Sequence, residues 1–283
     1  MMKSSYLYPS ITSLPVEYDC EIAPPVSQLT DALGVSDAEI EYIIQIYCAG
    51  DLLFEITQSI TYRGGVALGD PDLTFKWRPD DHGQTEHGFA EVTFKSATDY
   101  PIFRRTDSLP FYAIYHAPGR KTFFSDNSYK YGSPPVIEQI ARFGTYIDTY
   151  PIVHISRPLN LSATLVLINP YLRPLVAQVL TAEGRKLNRI RVDALTAKRV
   201  PLVELLHDRE CELHCQVQIT ATNRAVTYIM THALDDPSDI TDHEHLDPFR
   251  ADPTHMPLTL WLRYKTGRFL KNRNLLKSIW DKS

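Results

Sequence analysis

The chain consists largely of short runs of β-branched and aromatic residues, separated by clusters of Gly, Pro and Asp. This spacing favours antiparallel sheets, because each run is too short for an ordinary helix and each cluster suits a turn. Along residues 89–95, Val92 and Phe94 lie on one face while Glu91 and Lys95 lie on the other, as a half-buried strand requires. In the first half we predict strands over residues 52–62, 73–77, 89–95, 102–105 and 111–116.

The second half has a more regular rhythm of strands and turns. About seven short strands over residues 160–232 fit an immunoglobulin-like sandwich, although the Cys-Trp-Cys core signature of antibody domains is absent. We predict strands over 163–168, 175–181, 189–193 and 198–202, followed by a hairpin of 215–219 and 225–232.

Two segments have helical features. Ser133 can cap a helix, Pro134 suits its first turn and Gly144 supplies a stop, so we predict a connecting helix over 133–144. The four residues from Ser36 have capping-box spacing before a run rich in isoleucine. We predict a short helix over 36–47, while the β-branched residues there would also suit a strand.

The predicted fold is therefore mainly β, with two antiparallel β-sandwich (immunoglobulin-like) domains, a connecting helix and a C-terminal amphipathic helix. A chain of 283 residues, of which 43% are hydrophobic, is long enough to form two domains with their own cores. We divide it into an N-terminal arm (1–35), a first β-rich domain ending in the helix (36–145), a second sandwich (146–233), and an acidic histidine-containing loop with a basic helix (234–283).

Charge is distributed unevenly. The net charge is −5, yet residues 263–283 carry +6, so the rest of the chain is acidic and no nucleic-acid partner is expected. No apolar run approaches the roughly 20 residues of a transmembrane helix, and the N-terminus lacks the apolar stretch of a secretory signal. Four cysteines in a chain of this length predict reduced thiols, and with them a cytoplasmic location.

The acidic, histidine-rich stretch 231–256 holds candidate metal ligands. His243 and His245 lie on one side of an extended chain, and Asp242 or Asp247 could complete a site of two histidines and one carboxylate. The order His243-x-His245-x-Asp247 resembles the first five residues of the metallo-β-lactamase metal motif. That motif continues with histidine where this chain has Pro248, so we do not transfer the family's activity.

Two other interpretations of this stretch stay open. It can be a solvated acidic loop in which Asp-Pro pairs set turns and the histidines form local hydrogen bonds. Its charge of −6 can also pair with the +6 tail, within one chain or between two protomers.

Aromatic residues are dense over 111–131, where seven of 21 residues are Phe or Tyr. Alternate rings can fill a sandwich core, whereas Tyr112, Tyr129 and Tyr131, with Lys130, are predicted to form a binding surface. The tail over 266–282 predicts an amphipathic helix whose basic residues include Arg268, Lys271 and Arg273. Such a helix can dock on its own domain, on an acidic partner or on an anionic membrane surface.

These features support three functional hypotheses. The first is a non-catalytic cytoplasmic binding or assembly protein, without a cofactor, that acts through the aromatic surface and the tail on a protein partner or as a homodimer. The second is a metal-dependent hydrolase or oxygenase with a divalent transition metal held around 239–247, where Glu244 moves protons. The third is a carbohydrate-recognition module.

Overall fold

The computed structural model describes residues 6–8, 13–15, 19–23, 36–68, 74–78, 88–98, 111–117, 120–126, 147–149, 151–170, 172, 174–206, 214–221, 226–246, 249–250 and 262. These residues form a 3-10 turn at Leu202–Glu204 and the strands β1 (Tyr6–Tyr8), β2 (Ser13–Pro15), β3 (Cys20–Ala23), β4 (Ala38–Cys48), β5 (Asp51–Arg63), β6 (Val66–Leu68), β7 (Phe75–Trp77), β8 (Gly88–Ser96), β9 (Phe111–Ala117), β10 (Arg120–Asp126), β11 (Ile147–Thr149), β12 (Ile152–His154), β13 (Leu161–Asn169), β14 (Leu175–Thr181), β15 (Lys186–Val192), β16 (Thr196–Pro201), β17 (His214–Ala221), β18 (Val226–Ala233), β19 (Ile240–His245) and β20 (Phe249–Arg250). The mainly β prediction is confirmed. Among the described residues, no helix has the length and apolar character needed to cross a membrane.

The strands form four antiparallel sheets. Sheet A has the order β1-β8-β4-β5-β6, with β2 also paired to β8, and sheet B has the order β10-β9-β3-β7. Sheet C has the order β15-β14-β17-β11-β20, with β12 also paired to β17, and sheet D has the order β16-β13-β18-β19. The predicted antiparallel sheets are therefore present in both halves of the chain.

The helix predicted over 36–47 is wrong, because these residues form β4. Burial alternates along the strand with a period of two: Ile40, Tyr42, Ile44 and Ile46 are buried and their neighbours are partly exposed. A helix would bury only part of this apolar face, whereas a strand between β5 and β8 buries all of it.

The residues that suggest a helix cap hold a turn instead. An Asp37 side-chain oxygen accepts a hydrogen bond from the Gly64 backbone N–H at 2.7 Å, and the Ser36 carbonyl accepts one from Gly65 at 2.7 Å. Both glycines have positive φ, 59° and 80°, as the tight β5–β6 hairpin turn requires. Short polar side chains cap turns as readily as helices, which explains the wrong prediction.

The two central strands of sheet D, β13 and β18, are buried on both faces. Every residue of β18 is buried, and so is every residue of β13 after Leu161. The predicted hairpin of 215–219 with 225–232 is therefore wrong: β17 lies in sheet C, while β18 pairs with β13 and β19 in sheet D. A strand that is apolar on both faces is stabilised most in the centre of a layered structure, so burial overrides adjacency in sequence.

Two hydrophobic cores lie on opposite sides of sheet D, as alternate residues of β13 show. Val166 and Ile168 belong to the core that contains the buried side chains of sheets A and B. Leu165 and Leu167 belong to the core that they share with sheet C. The first core thus crosses the predicted boundary between residues 145 and 146, while the division into two domains itself stays a prediction.

Part of the predicted N-terminal arm is packed into the fold. Cys20 and Ile22, on β3, are buried between β7 and β9. Their alternation with polar Glu21 is the short strand pattern that the prolines on either side obscure. The helix predicted over 133–144, the C-terminal helix over 266–282 and the strand over 102–105 lie outside the described residues.

The first core contains residues from both halves of the chain. We therefore expect side-chain truncations in either half to destabilise one cooperative unit. Ile44→Ala on β4 and Ile168→Ala on β13, both at fully buried positions, should each lower the free energy of unfolding by about 2 to 5 kcal/mol. Urea titrations followed by fluorescence and by circular dichroism should give coincident transitions for each variant. Leu172→Ala, at a position that is 65% exposed, is the control. Two separate transitions, each moved by only one variant, would contradict a shared core.

Candidate binding edge

The predicted metal ligands lie on and after β19, and the strand separates two of them. His243 is buried, whereas Asp242 and Glu244 are exposed, because successive strand residues point to opposite faces. His245 pairs through its backbone with Tyr228; its side chain and the whole of Asp247 lie outside the described part. Asp242 and His243 as placed therefore do not converge on one ion.

Aromatic rings surround His243. Its ring stacks on Tyr228 with centroids 4.7 Å apart and planes 10° apart, and it meets the edge of Tyr115 at 5.1 Å. Thr241 is an extra residue in a bulge opposite β18, and this bulge places both Ile240 and His243 on the face toward the first core. Within the described residues, no group of three His, Cys, Asp or Glu side chains could hold a metal. A metal site completed by His245 and Asp247 stays a prediction.

His232 is a second buried histidine, which sequence reasoning did not single out. Its Nδ1 lies 2.7 Å from the Ala233 carbonyl oxygen and its Nε2 lies 2.8 Å from Thr164 Oγ1. A carbonyl only accepts, so Nδ1 carries the proton, and Nε2 of the neutral ring accepts from the Thr164 hydroxyl. Burial lowers the pKa of His232; the bond to Ala233 opposes that shift, and the Arg199 charge adds to it.

The turn between β18 and β19 behaves as the acidic-loop interpretation expects. Asp236 is exposed and accepts hydrogen bonds from the Ser238 hydroxyl at 2.6 Å and backbone N–H at 3.0 Å. These bonds lower the pKa of Asp236. Asp235 accepts a 2.7 Å bond from the side chain of Asn160, which ties the acidic turn to the start of β13.

Among the described residues, only the short strand β6 pairs with the outer edge of β5. On one side it pairs with β4 along nearly its whole length. On the other side β6 pairs only with Thr61–Arg63, and no other described residue pairs with β5. Leu53 is an extra residue in the pairing with β4 and forms a bulge. Between this bulge and Thr61, no described strand pairs with the outer edge of β5.

Exposed apolar side chains flank this edge at both ends. Leu52 and Leu53 are 48% and 40% exposed at one end, and Val66 and Leu68, on β6, are 63% and 54% exposed at the other. Glu55 is the only charged residue from Leu52 to Tyr62. Natural edge strands are commonly short or protected by charge or proline, and between Leu52 and Tyr62 β5 has only Glu55 as such a protection.

A polar row crosses sheet A beside this edge, on the face opposite Ile44 and Ile46. Gln45 on β4 pairs with Glu55 on β5 and with Glu91 on β8, and its side-chain amide donates to the Glu55 carboxylate at 2.5 Å. Burial raises the pKa of Glu91 to about 7. The pKa of Tyr47, which stacks on Phe89 at 5.3 Å, is raised to about 12 by burial and by the nearby carboxylates.

The structure places only one of the predicted binding residues within its described part. Tyr112 lies on β9, where its backbone pairs with Ala23 and Ser125; nothing further is described for its side chain. The remaining predicted binding residues lie outside the described part: Tyr129, Lys130, Tyr131, Arg268, Lys271 and Arg273.

Sequence reasoning found β5 as a strand and missed that it is an edge. Whether a strand is central or at an edge depends on partners far away in the chain, so no local pattern reports it. The available signal was Ile56–Tyr62, seven residues without charge, glycine or proline, which is the composition of a strand that pairs readily with another chain.

No protein-family model matches this chain, and no curated protein matches its sequence. The β-glucuronidase 3 of Bacteroides uniformis aligns with 86% of this chain and 35% of its own at 7% identity, with a TM-score of 0.15. A β-glucuronidase from Ruminococcus gnavus aligns with 83% of this chain and 36% of its own at 10% identity, with a TM-score of 0.13. Procruciferin, an 11S globulin of Brassica napus, aligns with 81% of this chain and 78% of its own at 6% identity, with a TM-score of 0.14. The chain thus spans about a third of the glucuronidases' length, and similarity this low supports no inference about fold or function.

The buried neutral His232 predicts a loss of stability in acid. Below its ordinary pKa of 6.5 the unfolded chain takes up a proton that the folded protein resists, so the free energy of unfolding falls as the pH decreases. In His232→Gln, the fall measured by urea titration between pH 7.5 and 5 should be smaller than in the wild type. His154→Gln, at an exposed histidine of β12, is the control and should fall as the wild type does. An equal fall in all three proteins would contradict the assignment.

Glu91 predicts the opposite pH dependence. The unfolded chain ionises this carboxyl near 4.5 and the folded protein only near 7, so ionisation across this range favours the unfolded state and stability falls as the pH rises. The glutamine of Glu91→Gln cannot ionise. The difference in free energy of unfolding between this variant and the wild type, measured by urea titration, should therefore favour the variant more at pH 8 than at pH 4.5. Glu244→Gln, at an exposed carboxyl of β19, should show no such gain. A Glu91→Gln variant that is equally affected at both pH values would refute the shift.

Proposed function

We propose that the protein is a non-catalytic binding or assembly protein that accepts a strand of its partner at the edge of β5. One observation carries the proposal: between the bulge and β6, no described strand pairs with the outer edge of β5, and this stretch, almost without charge, lies between two pairs of exposed apolar side chains. An added strand would gain backbone hydrogen bonds from the edge, and its alternate side chains would give specificity.

The β4–β5 ladder preorganises the edge of β5 for such binding. β4 already orders β5 through a ladder that runs from Asp51 to Tyr62, so docking a strand costs little conformational entropy on this side. The backbone amide and carbonyl groups that point away from β4 would exchange bonds to water for bonds to the partner. Leu52, Leu53 and Leu68 would lose exposed apolar surface in the same step.

The finer features of the proposal come from the sequence. We propose that the aromatic segment 111–131 and the basic tail add contacts to the partner, and that the second half belongs to the immunoglobulin-like class of sandwiches. Nothing in the described residues favours the metal-dependent enzyme or the carbohydrate-recognition module over the binding protein, so both stay as alternative hypotheses.

A display selection of random seven-residue peptides on the intact protein tests the proposal. Selected peptides should bind the wild type in fluorescence anisotropy and bind Leu53→Lys about tenfold more weakly, because the lysine puts charge at the apolar end of the edge. Amide hydrogen exchange should show protection within 51–60 when a selected peptide is bound.

The matched control is Ile152→Lys, which makes the same kind of change at a 55% exposed apolar residue of β12. It should leave peptide affinity unchanged. The proposal would be overturned by a selection without enriched peptides, or by peptides whose affinity falls equally in both lysine variants and whose protection lies outside β5.

A further inference from the structure

We infer that copies of this chain associate head to tail through two oppositely charged rims, which lie at the two edges of sheet D. Exposed residues of β15 and β16 form the basic rim, and exposed residues of β19 and of the turn before it form the acidic rim. The basic rim comprises Lys186, Arg189, Arg191 and Lys198, and the acidic rim comprises Asp235, Asp236, Asp242 and Glu244. This inference does not depend on the edge of β5.

Each rim concentrates charge of one sign. Residues 186–198 contain four Lys and Arg and one Asp, whereas residues 235–244 contain five Asp and Glu and no Lys or Arg. Among the described residues, Arg191 is the one member of either rim that belongs to an ion pair. The hydrogen bonds that the acidic rim accepts there come from uncharged groups. Most of the charge on both rims is therefore available to a partner of opposite charge.

The two edges of sheet D are too far apart to neutralise each other within one chain. The strand order is β16-β13-β18-β19, so three strand spacings, about 14 Å, separate β16 from β19. This distance exceeds the Debye length of about 8 Å at physiological ionic strength. The charges of β16 and β19 can therefore meet an opposite rim only on another molecule.

The basic rim extends over both sheets of the second core. β15 is the edge strand of sheet C, and the short turn 193–195 joins it to β16 at the edge of sheet D. The Asn169 side chain on β13 donates hydrogen bonds to the carbonyl oxygens of Val192 and Asp193, at 3.2 and 2.8 Å. These bonds fix the end of β15 against sheet D, so the cations of β15 and β16 line one side of the two packed sheets.

The geometry of sheet D suits a second copy in the same orientation. The sheet has four strands and each pairing is antiparallel, so β16 and β19 run in opposite directions and would meet antiparallel between copies. Lys198 pairs with Leu167, and Glu244 pairs with Ile229. Leu167 and Ile229 both belong to the second core, so Lys198 and Glu244 lie on the same face of the sheet. Head-to-tail contact would therefore place a cation beside carboxylates.

Such an interface joins two different surfaces of one chain, so it continues into a ring or an open chain of copies. Exposed ion pairs are individually weak and are screened by salt, which predicts a concentration-dependent association that is sensitive to ionic strength.

Light scattering of the full-length chain at two salt concentrations tests the association. At about 0.01 M salt, where the Debye length is about 30 Å, the mass should rise above the chain mass of 32.3 kDa as the protein concentration increases. At about 1 M salt, where the Debye length is about 3 Å, the mass should equal that of one chain.

Two double variants test which surfaces meet. Arg189→Glu/Lys198→Glu disrupts the basic rim and Asp242→Lys/Glu244→Lys disrupts the acidic rim, so each variant alone should keep the mass of one chain at low salt. An equal mixture retains one intact rim of each kind. It should form a heterodimer of twice the chain mass and nothing larger.

The matched control is Lys76→Glu/Arg78→Glu, which makes the same change of charge at two exposed residues of sheet B and its flank. It should associate as the wild type does. Circular dichroism checks that each variant is folded. If the reversed charges disturb the fold, the neutral variants Arg189→Gln/Lys198→Gln and Asp242→Asn/Glu244→Gln replace them in the same mixture.

A wild type that stays monomeric at low salt, or an association that persists at about 1 M salt, overturns the inference. So does a mixture of folded rim variants that stays monomeric, or a control variant that loses association to the same extent. If disrupting the acidic rim abolishes association and disrupting the basic rim does not, the acidic rim binds another basic segment, such as residues 263–283, and the basic rim is rejected as its partner. Peptide binding at β5 should be equal in both rim variants, which keeps this test separate from that of the proposed function.

Discussion

The burial of the two central strands of sheet D on both faces is the constraint on which the rest of the structure depends. β13 and β18 are buried on both sides, so the centre of sheet D has a partner layer above and below. Sheet C covers one face, and side chains of sheets A and B cover the other. The two halves of the chain are thereby joined through a shared core, and a strand such as β18 is stabilised by contacts from residues more than a hundred positions away.

This layering also determines where polar groups are tolerated inside. His243 fits the buried face of sheet D because Tyr228 and Tyr115 present their rings to it, and His232 fits because Thr164 and the Ala233 carbonyl satisfy both ring nitrogens. The bulge at Thr241 matters here, since without the extra residue His243 and Ile240 would point to opposite faces. A histidine-rich stretch that suggests a metal site in the sequence is thus partly used as packing.

Much of the strand content could be predicted from the sequence, because alternation of apolar and polar residues is a local property. The predictions that failed needed non-local information. The polar residues before β4 suggest a helix cap in the sequence. In the structure they accept hydrogen bonds from the backbone N–H groups of Gly64 and Gly65, which are distant in sequence. A hairpin of β17 with β18 is predicted because the two strands are adjacent in sequence. In the structure β18 lies in another sheet, where it is buried on both faces. The candidate ligands Asp242 and His243 could be found by residue type, but only the strand's alternation shows that they diverge.

β4 and β5 show why an edge is a functional feature and not a property of the strand sequence. Both are long, with 11 and 13 residues, and in both the burial of the side chains alternates with a period of two. β4 has long ladders on its two sides, whereas β5 has one long ladder with β4 and only a three-residue ladder with β6 among the described strands. The low charge that lets β4 pair on both sides would make an uncovered β5 prone to non-specific pairing. The bulge at Leu53 and β6 at Thr61 bound this edge at its two ends, and a short edge restricts the sliding pairings that a longer one would permit.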